Sequence, residues 1–90
     1  MIIEVKKFGD ILTSRPAGRE AALICLAYFK GVNTATDLSL DFEGVEVMTP
    51  SWLSEFIQTL QEKGIPKPQF LPSENPTVNS SIEFIAPEIE

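Results

Sequence analysis

Two short stretches carry the side chains best suited to chemistry: Ser14-Arg15 with Arg19 four residues later, and Thr49-Pro50-Ser51 directly before Trp52. Each has the look of a helix opening. The first N–H groups of a helix have no intrahelical acceptor, and its dipole favours negative charge at that end, so helix openings bind anions and stabilise an added phosphate. A guanidinium group presents a fork of donors to a phosphate or a carboxylate. The expected partner- or anion-binding rim is therefore Ser14, Arg15, Arg19, Thr49 and Ser51. Each also has a plain structural explanation. Thr49 serves equally well as an N-cap with Pro50 as first helical residue and Ser51 solvated. Arg15 and Arg19 serve equally well as ion-pair partners of a nearby acid, Asp41 or Asp10 for example.

Other chemistries are excluded or disfavoured by composition. The chain has no histidine, so a His-based triad and a histidine zinc site are both out of reach. It has one cysteine, Cys25, set in the apolar run "AALICLAYF", where an inert buried thiol is expected and no internal disulfide can form. Asp41, Glu43 and Glu46 lie on and after a strand at a spacing that does not converge three metal ligands, and no glycine-rich phosphate loop is present. No cofactor and no metal is expected. A binding module is favoured over an enzyme; a small enzyme or enzyme subunit taking an anionic ligand at the rim is the alternative.

The elements that must position the rim follow from spacing. Ninety residues with 43% apolar content make a single domain, 1–90, with a thin core. "IIEVK" at 2–6 alternates as a strand, and Gly9-Asp10 signals a turn. Ser14 and Pro16 open a helix that runs through Phe29 and stops at Gly31; "GVNTATD" is a loop and "DLSLDF" a strand. A second helix starts at Thr49-Pro50, with Trp52, Leu53, Phe56, Ile57 and Leu60 on its apolar face, Ser54, Glu55, Gln58 and Glu62 opposite, and Gly64 as its stop. A short strand fits around Gln69–Leu71. Asn75-Pro76-Thr77 then opens a helix over about 76–86, although Ile82 and Phe84 also alternate as a strand would.

Strand–helix alternation implies right-handed parallel crossovers, and alternating strands imply helices on one face only. The other face, with Asp37, Ser39 and Asp41, is expected to meet water or a polar partner. In this topology strand C-termini and helix N-termini coincide, which is what should gather the rim.

The net charge of −6 is unevenly placed: residues 1–30 carry five basic and three acidic groups, residues 31–90 two basic and ten acidic. Such a surface disfavours nucleic acid and favours a basic protein partner. The longest apolar run, nine residues, is far below the ~20 that span a bilayer, and the N-terminus lacks the order of a secretory signal. A cytoplasmic location is expected, with no membrane partner. Monomer and weak dimer both remain open.

The stretch "LDFEGVEVMTPSWLSEF" resembles the Asp-Phe-x-Gly-Val segment of STAS-like domains, relatives of the anti-sigma-factor antagonists, and "SRPAGREA" resembles the Ser-Arg segment that opens the first helix there. The resemblance covers roughly residues 8–60. It implies a small α/β domain with a mixed, mostly parallel sheet of three to four strands and helices on one face. It further implies a regulatory protein-interaction module partnered with an anti-sigma-like protein or a histidine-kinase-like ATPase. In the antagonists an Asp-Ser-Ser sequence precedes the second helix, and its first serine is phosphorylated. Here Thr49, Pro50 and Ser51 stand at those places, and a proline accepts no phosphate. A surviving switch has to use Ser51, the candidate phosphoacceptor, or Thr49.

Overall fold

A computed structural model describes residues 2–28, 38–65 and 67–89. The elements run β1 (Ile2–Glu4), a 3-10 turn (Val5–Phe8), β2 (Ile11–Leu12), α1 (Arg15–Ala27), β3 (Ser39–Asp41), β4 (Val47–Met48), α2 (Pro50–Glu62), β5 (Gln69–Phe70) and α3 (Pro76–Ile89). β1, β3 and β5 form a three-stranded sheet in that order, and β2 pairs with β4; every described pairing is parallel. The α/β class with parallel strands and packed helices is as the alternation requires. The loop at "GVNTATD", the stop at Gly31 and Asp37 lie outside the described residues.

The strand expected over 2–6 ends at Glu4. Val5 and Phe8 turn inward instead, three residues apart as a 3-10 turn places them: Val5 is fully buried and Phe8 packs on Phe56 with ring centroids 5.9 Å apart. The neighbouring strand breaks in the same way, with Phe42 and Val45 both buried and the Val45 N–H donating to the Phe42 carbonyl. Both segments then resume as β2 and β4. Alternation over five residues cannot separate a continuous strand from a strand followed by a turn whose inward residues lie three apart.

One face of the sheet is buried and the other is not. Ile3, Leu40, Leu12 and Met48 belong to the core, while Ile2, Glu4, Ile11 and Gln69 are exposed and Ser39 and Asp41 partly so. The helices cover the first face.

α1 and α2 open as the sequence indicates. Ser14 caps α1 by accepting from the Ala17 N–H at 3.2 Å, and Thr49 caps α2 by accepting from the Trp52 N–H at 3.4 Å. α2 closes at Gly64, whose φ of +89° permits the left-handed turn in which the Ile65 N–H reaches the Leu60 carbonyl at 2.9 Å. All five expected apolar positions of α2 are buried. Ser54, expected on the outer face, is only 2% exposed, and Thr59 is buried as well. α2 packs between α1 and α3, so its covered surface is wider than one stripe. α3 is a helix, as the Asn75 opening implies, and extends past 86 to Ile89.

Candidate functional site

Thr49 ties the openings of α1 and α2 together. Its hydroxyl lies 3.2 Å from the Thr13 carbonyl and 3.5 Å from the Leu12 carbonyl, as donor, while it accepts from Trp52; its own N–H donates to Leu12 at 3.0 Å. β2 therefore delivers Thr13 and Ser14 beside the start of α2. Ser14, Arg15, Thr49 and Ser51 stand at the same end of the molecule. Ser14 is exposed and spent on its cap; Ser51 is half-buried at the second position of α2, and its hydroxyl makes no hydrogen bond among the described residues. Of the two candidate phosphoacceptors, only Ser51 has its oxygen uncommitted.

The arginines turn sideways along α2. Arg15 lies 3.7 Å from Glu55, and Arg19 bridges Glu55 at 3.9 Å and Glu62 at 3.6 Å. The partner acids are thus on α2 rather than Asp41 or Asp10, because parallel packing of α1 on α2 sets their flanks side by side. Glu62 is the last residue of α2, so Arg19 is drawn away from the helix openings that hold Ser51. Both guanidinium groups are about half exposed, and contacts this long and wet are worth at most about 1 kcal/mol each. They can be redirected cheaply. Arg15 and Arg19 also sit in the first turns of α1, where positive charge opposes the helix dipole, and the Glu55 carboxylate offsets that.

Trp52 is core, 1% exposed and stacked on Phe56 with centroids 5.0 Å apart. Cys25 is fully buried, and burial pushes its thiol from the ordinary 9.0 up to about 11, against a smaller opposing pull from Lys7. Asp41 accepts from the Glu43 N–H at 3.0 Å, shaping its own turn. No group of three or more candidate ligands that could hold a metal ion occurs among the described residues. Nor, among them, is any helix long and apolar enough to cross a membrane.

Two features escaped the sequence reading. The first is a polar clasp that fixes α3 to β4. Asn75 caps α3 through its Oδ1, which accepts from the Thr77 N–H at 2.8 Å, and its Nδ2 donates to the carbonyls of Val45 (2.8 Å) and Glu46 (2.9 Å). Thr77 Oγ1 accepts from the Met48 N–H at 3.1 Å, and Ser81 Oγ donates to the Met48 carbonyl at 2.9 Å. Asp10 and Leu12 hold β4 from one side; side chains of α3 hold it from the other, in place of a further strand. Asn75-Pro76-Thr77 reads as a helix opening, but nothing local pairs it, or Ser81, with residue 48.

The second is a groove of about 370 Å³ between the 3-10 turn and α1, lined by Lys7, Phe8, Ala17, Glu20, Ile24 and Tyr28 among others. α1 buries its small residues, Gly18, Ala21, Ala22 and Cys25, and leaves Ile24 48% and Tyr28 44% exposed. Helical spacing was visible, but a uniformly apolar run does not say which side goes in.

No family model, curated protein or solved structure matches the chain.

Proposed function

We propose that the chain is a cytoplasmic regulatory protein-interaction module, not an enzyme, whose partner surface is the end where α1 and α2 begin. The observation that carries this reading is the division of labour between the two hydroxyls. Thr49 is consumed in fastening α2 to Thr13, while Ser51, one residue past Pro50, keeps its oxygen free, and the arginines of α1 are held only by long, half-exposed ion pairs to Glu55 and Glu62. A phosphate on Ser51 would sit at the positive end of the α2 dipole, next to its own N–H, and would attract a half-exposed guanidinium from α1. The similarity of "LDFEGV" and "SRPAGREA" to STAS-like domains supports the same end of the fold and suggests the partner: an anti-sigma-like protein or a histidine-kinase-like ATPase. The acidic remainder of the surface favours a basic partner and works against nucleic acid.

The test is capture from native lysate by the tagged chain, followed by identification of the bound protein. Wild type is expected to retain such a partner and Ser51→Asp to release it, with equal melting temperatures. Retention by Ser51→Asp and by Arg15→Gln/Arg19→Gln alike would overturn the assignment of the surface.

A further inference from the structure

We propose that the groove between the 3-10 turn and α1 is the interface of a two-fold homodimer, in which Ile24 and Tyr28 of each protomer pack against those of the other and Lys7 faces Glu20 of the partner subunit. A different set of residues carries this than carries the proposed function, and the two stand or fall separately. The first ground is the outer flank of α1. α1 fills its inner face with Gly18, Ala21, Ala22 and Cys25, with Leu26 packed beside them, and leaves Ile24 and, at its C-cap, Tyr28 nearly half exposed in one groove, an apolar pair that a second copy would cover. Ala17, Glu20, Ile24 and Tyr28 recur at helical spacing along one flank, with Phe8 partly buried beneath them.

The second ground is charge. The groove holds one basic and one acidic side chain, Lys7 and Glu20, and no ion pair joins them among the described residues. Lys7 lies instead over the Tyr28 ring, 4.5 Å from its centroid, with its ammonium in reach of an incoming carboxylate. A two-fold axis pairs residue i with j and j with i, so one Lys and one Glu flanking an apolar centre complement themselves. An acidic amphipathic helix from another protein would match Lys7 but leave Glu20 opposed.

Sedimentation of the full chain over a wide concentration range tests the proposal. Wild type is expected to show a reversible monomer–dimer equilibrium, and Ile24→Asp to be monomeric but folded, melting close to wild type at dilutions where both are monomers, since Ile24 is already half in water. Lys7→Glu and Glu20→Lys should each weaken the dimer by about tenfold or more, each creating two like-charge contacts. An equimolar mixture of those two variants should restore it, because the mixed dimer regains both opposite-charge pairs. A wild type that stays monomeric throughout, a dimer that survives Ile24→Asp, or a mixture no tighter than its components overturns the proposal. Partner capture by Ile24→Asp, run in parallel, should equal wild type; that result tells failure of the dimer from failure of the regulatory surface.

Discussion

α1 and α3 both attach to the body of the molecule, by opposite means. α1 lies against α2 through small residues: at Gly18 the helices approach so closely that an added Cβ would overlap the Trp52 carbonyl oxygen. Polar contacts there, Arg15 and Arg19 with Glu55 and Glu62, stay at the wet margin. α3 does pack apolar residues, Val78 and Ile85, but its register is set by Asn75, Thr77 and Ser81 reaching backbone groups of residues 45–48. Close packing tolerates loss of its charges and not a gain of volume. A clasp of directed hydrogen bonds should behave in the reverse way.

The largest effects should come from the packed side. Phe42→Ala and Phe56→Ala each remove a fully buried ring and should cost about 3–5 kcal/mol, near the whole stability of so small a domain. Gly18→Val should come next, at about 3 kcal/mol, because the atom in its way is backbone and cannot rotate aside. Denaturant unfolding measures all three. A Gly18→Val protein as stable as wild type would mean that α1 and α2 are further apart than described.

The clasp ranks below. Asn75→Ala removes the cap of α3 and leaves the carbonyls of Val45 and Glu46, just before β4, without their donor, for about 2–3 kcal/mol; Ser81→Ala orphans the buried Met48 carbonyl, for about 1–2 kcal/mol. Hydrogen exchange sharpens the contrast with α1. In Asn75→Ala the amides of α3 should exchange early while those of α1 and α2 keep their protection. Uniform loss across the three helices would show that α3 and the α1–α2 pair unfold as one unit.

The same contrast explains what could be read from the sequence. Apolar periodicity and caps are local: Ser14, Thr49, Pro50 and Gly64 mark α1 and α2, and the buried face of α2 is named correctly by Trp52, Leu53, Phe56, Ile57 and Leu60. Asn75 was legible as a cap for the same reason. Its two bonds to residues 45 and 46, about thirty positions away, have no local trace, because any polar side chain at a helix start looks the same whether it faces water or a strand. Ser54 falls opposite the apolar face by helical spacing, yet a helix packed between two others is covered over more than that face, and only Gln58, Gln61 and Glu62 remain exposed. The rim was half legible. Thr49 and Ser51 fall where the caps put them, whereas the acids that draw Arg15 and Arg19 along α2 depend on the helix crossing.

Alkaline pH should separate the two regions by a smaller amount. Cys25 belongs to the buried face of α1, and the clasp contains no group that titrates. The folded state holds the thiol proton up to about 11 against 9.0 ordinarily, so this group leaves stability flat below pH 9 and erodes it as pH rises toward 11. By pH 10 the loss should be about 1.4 kcal/mol relative to neutral pH. Cys25→Ala should lack that component. Equal slopes for the two proteins would show that the thiol is not shielded by α1.

The smallest stability effect is expected where the packed region is most polar. Arg15→Gln/Arg19→Gln removes three ion pairs that are long, half exposed and screened by salt, and also relieves two positive charges at the opening of α1. The opposing contributions should leave a net change below about 1 kcal/mol, shrinking further in high salt. Glu55 then becomes the informative residue. It is only 23% exposed on its side chain, accepts from the Thr59 hydroxyl at 3.4 Å and lies in ion-pair range of both arginines, so stripping its cations leaves a partly desolvated carboxylate. Adding Glu55→Gln to the double variant should therefore recover stability. A loss well above 1 kcal/mol in the double variant, not recovered by Glu55→Gln, would mean that α1 is held by its charges after all, and the distinction between a packed helix and a clasped one would fail.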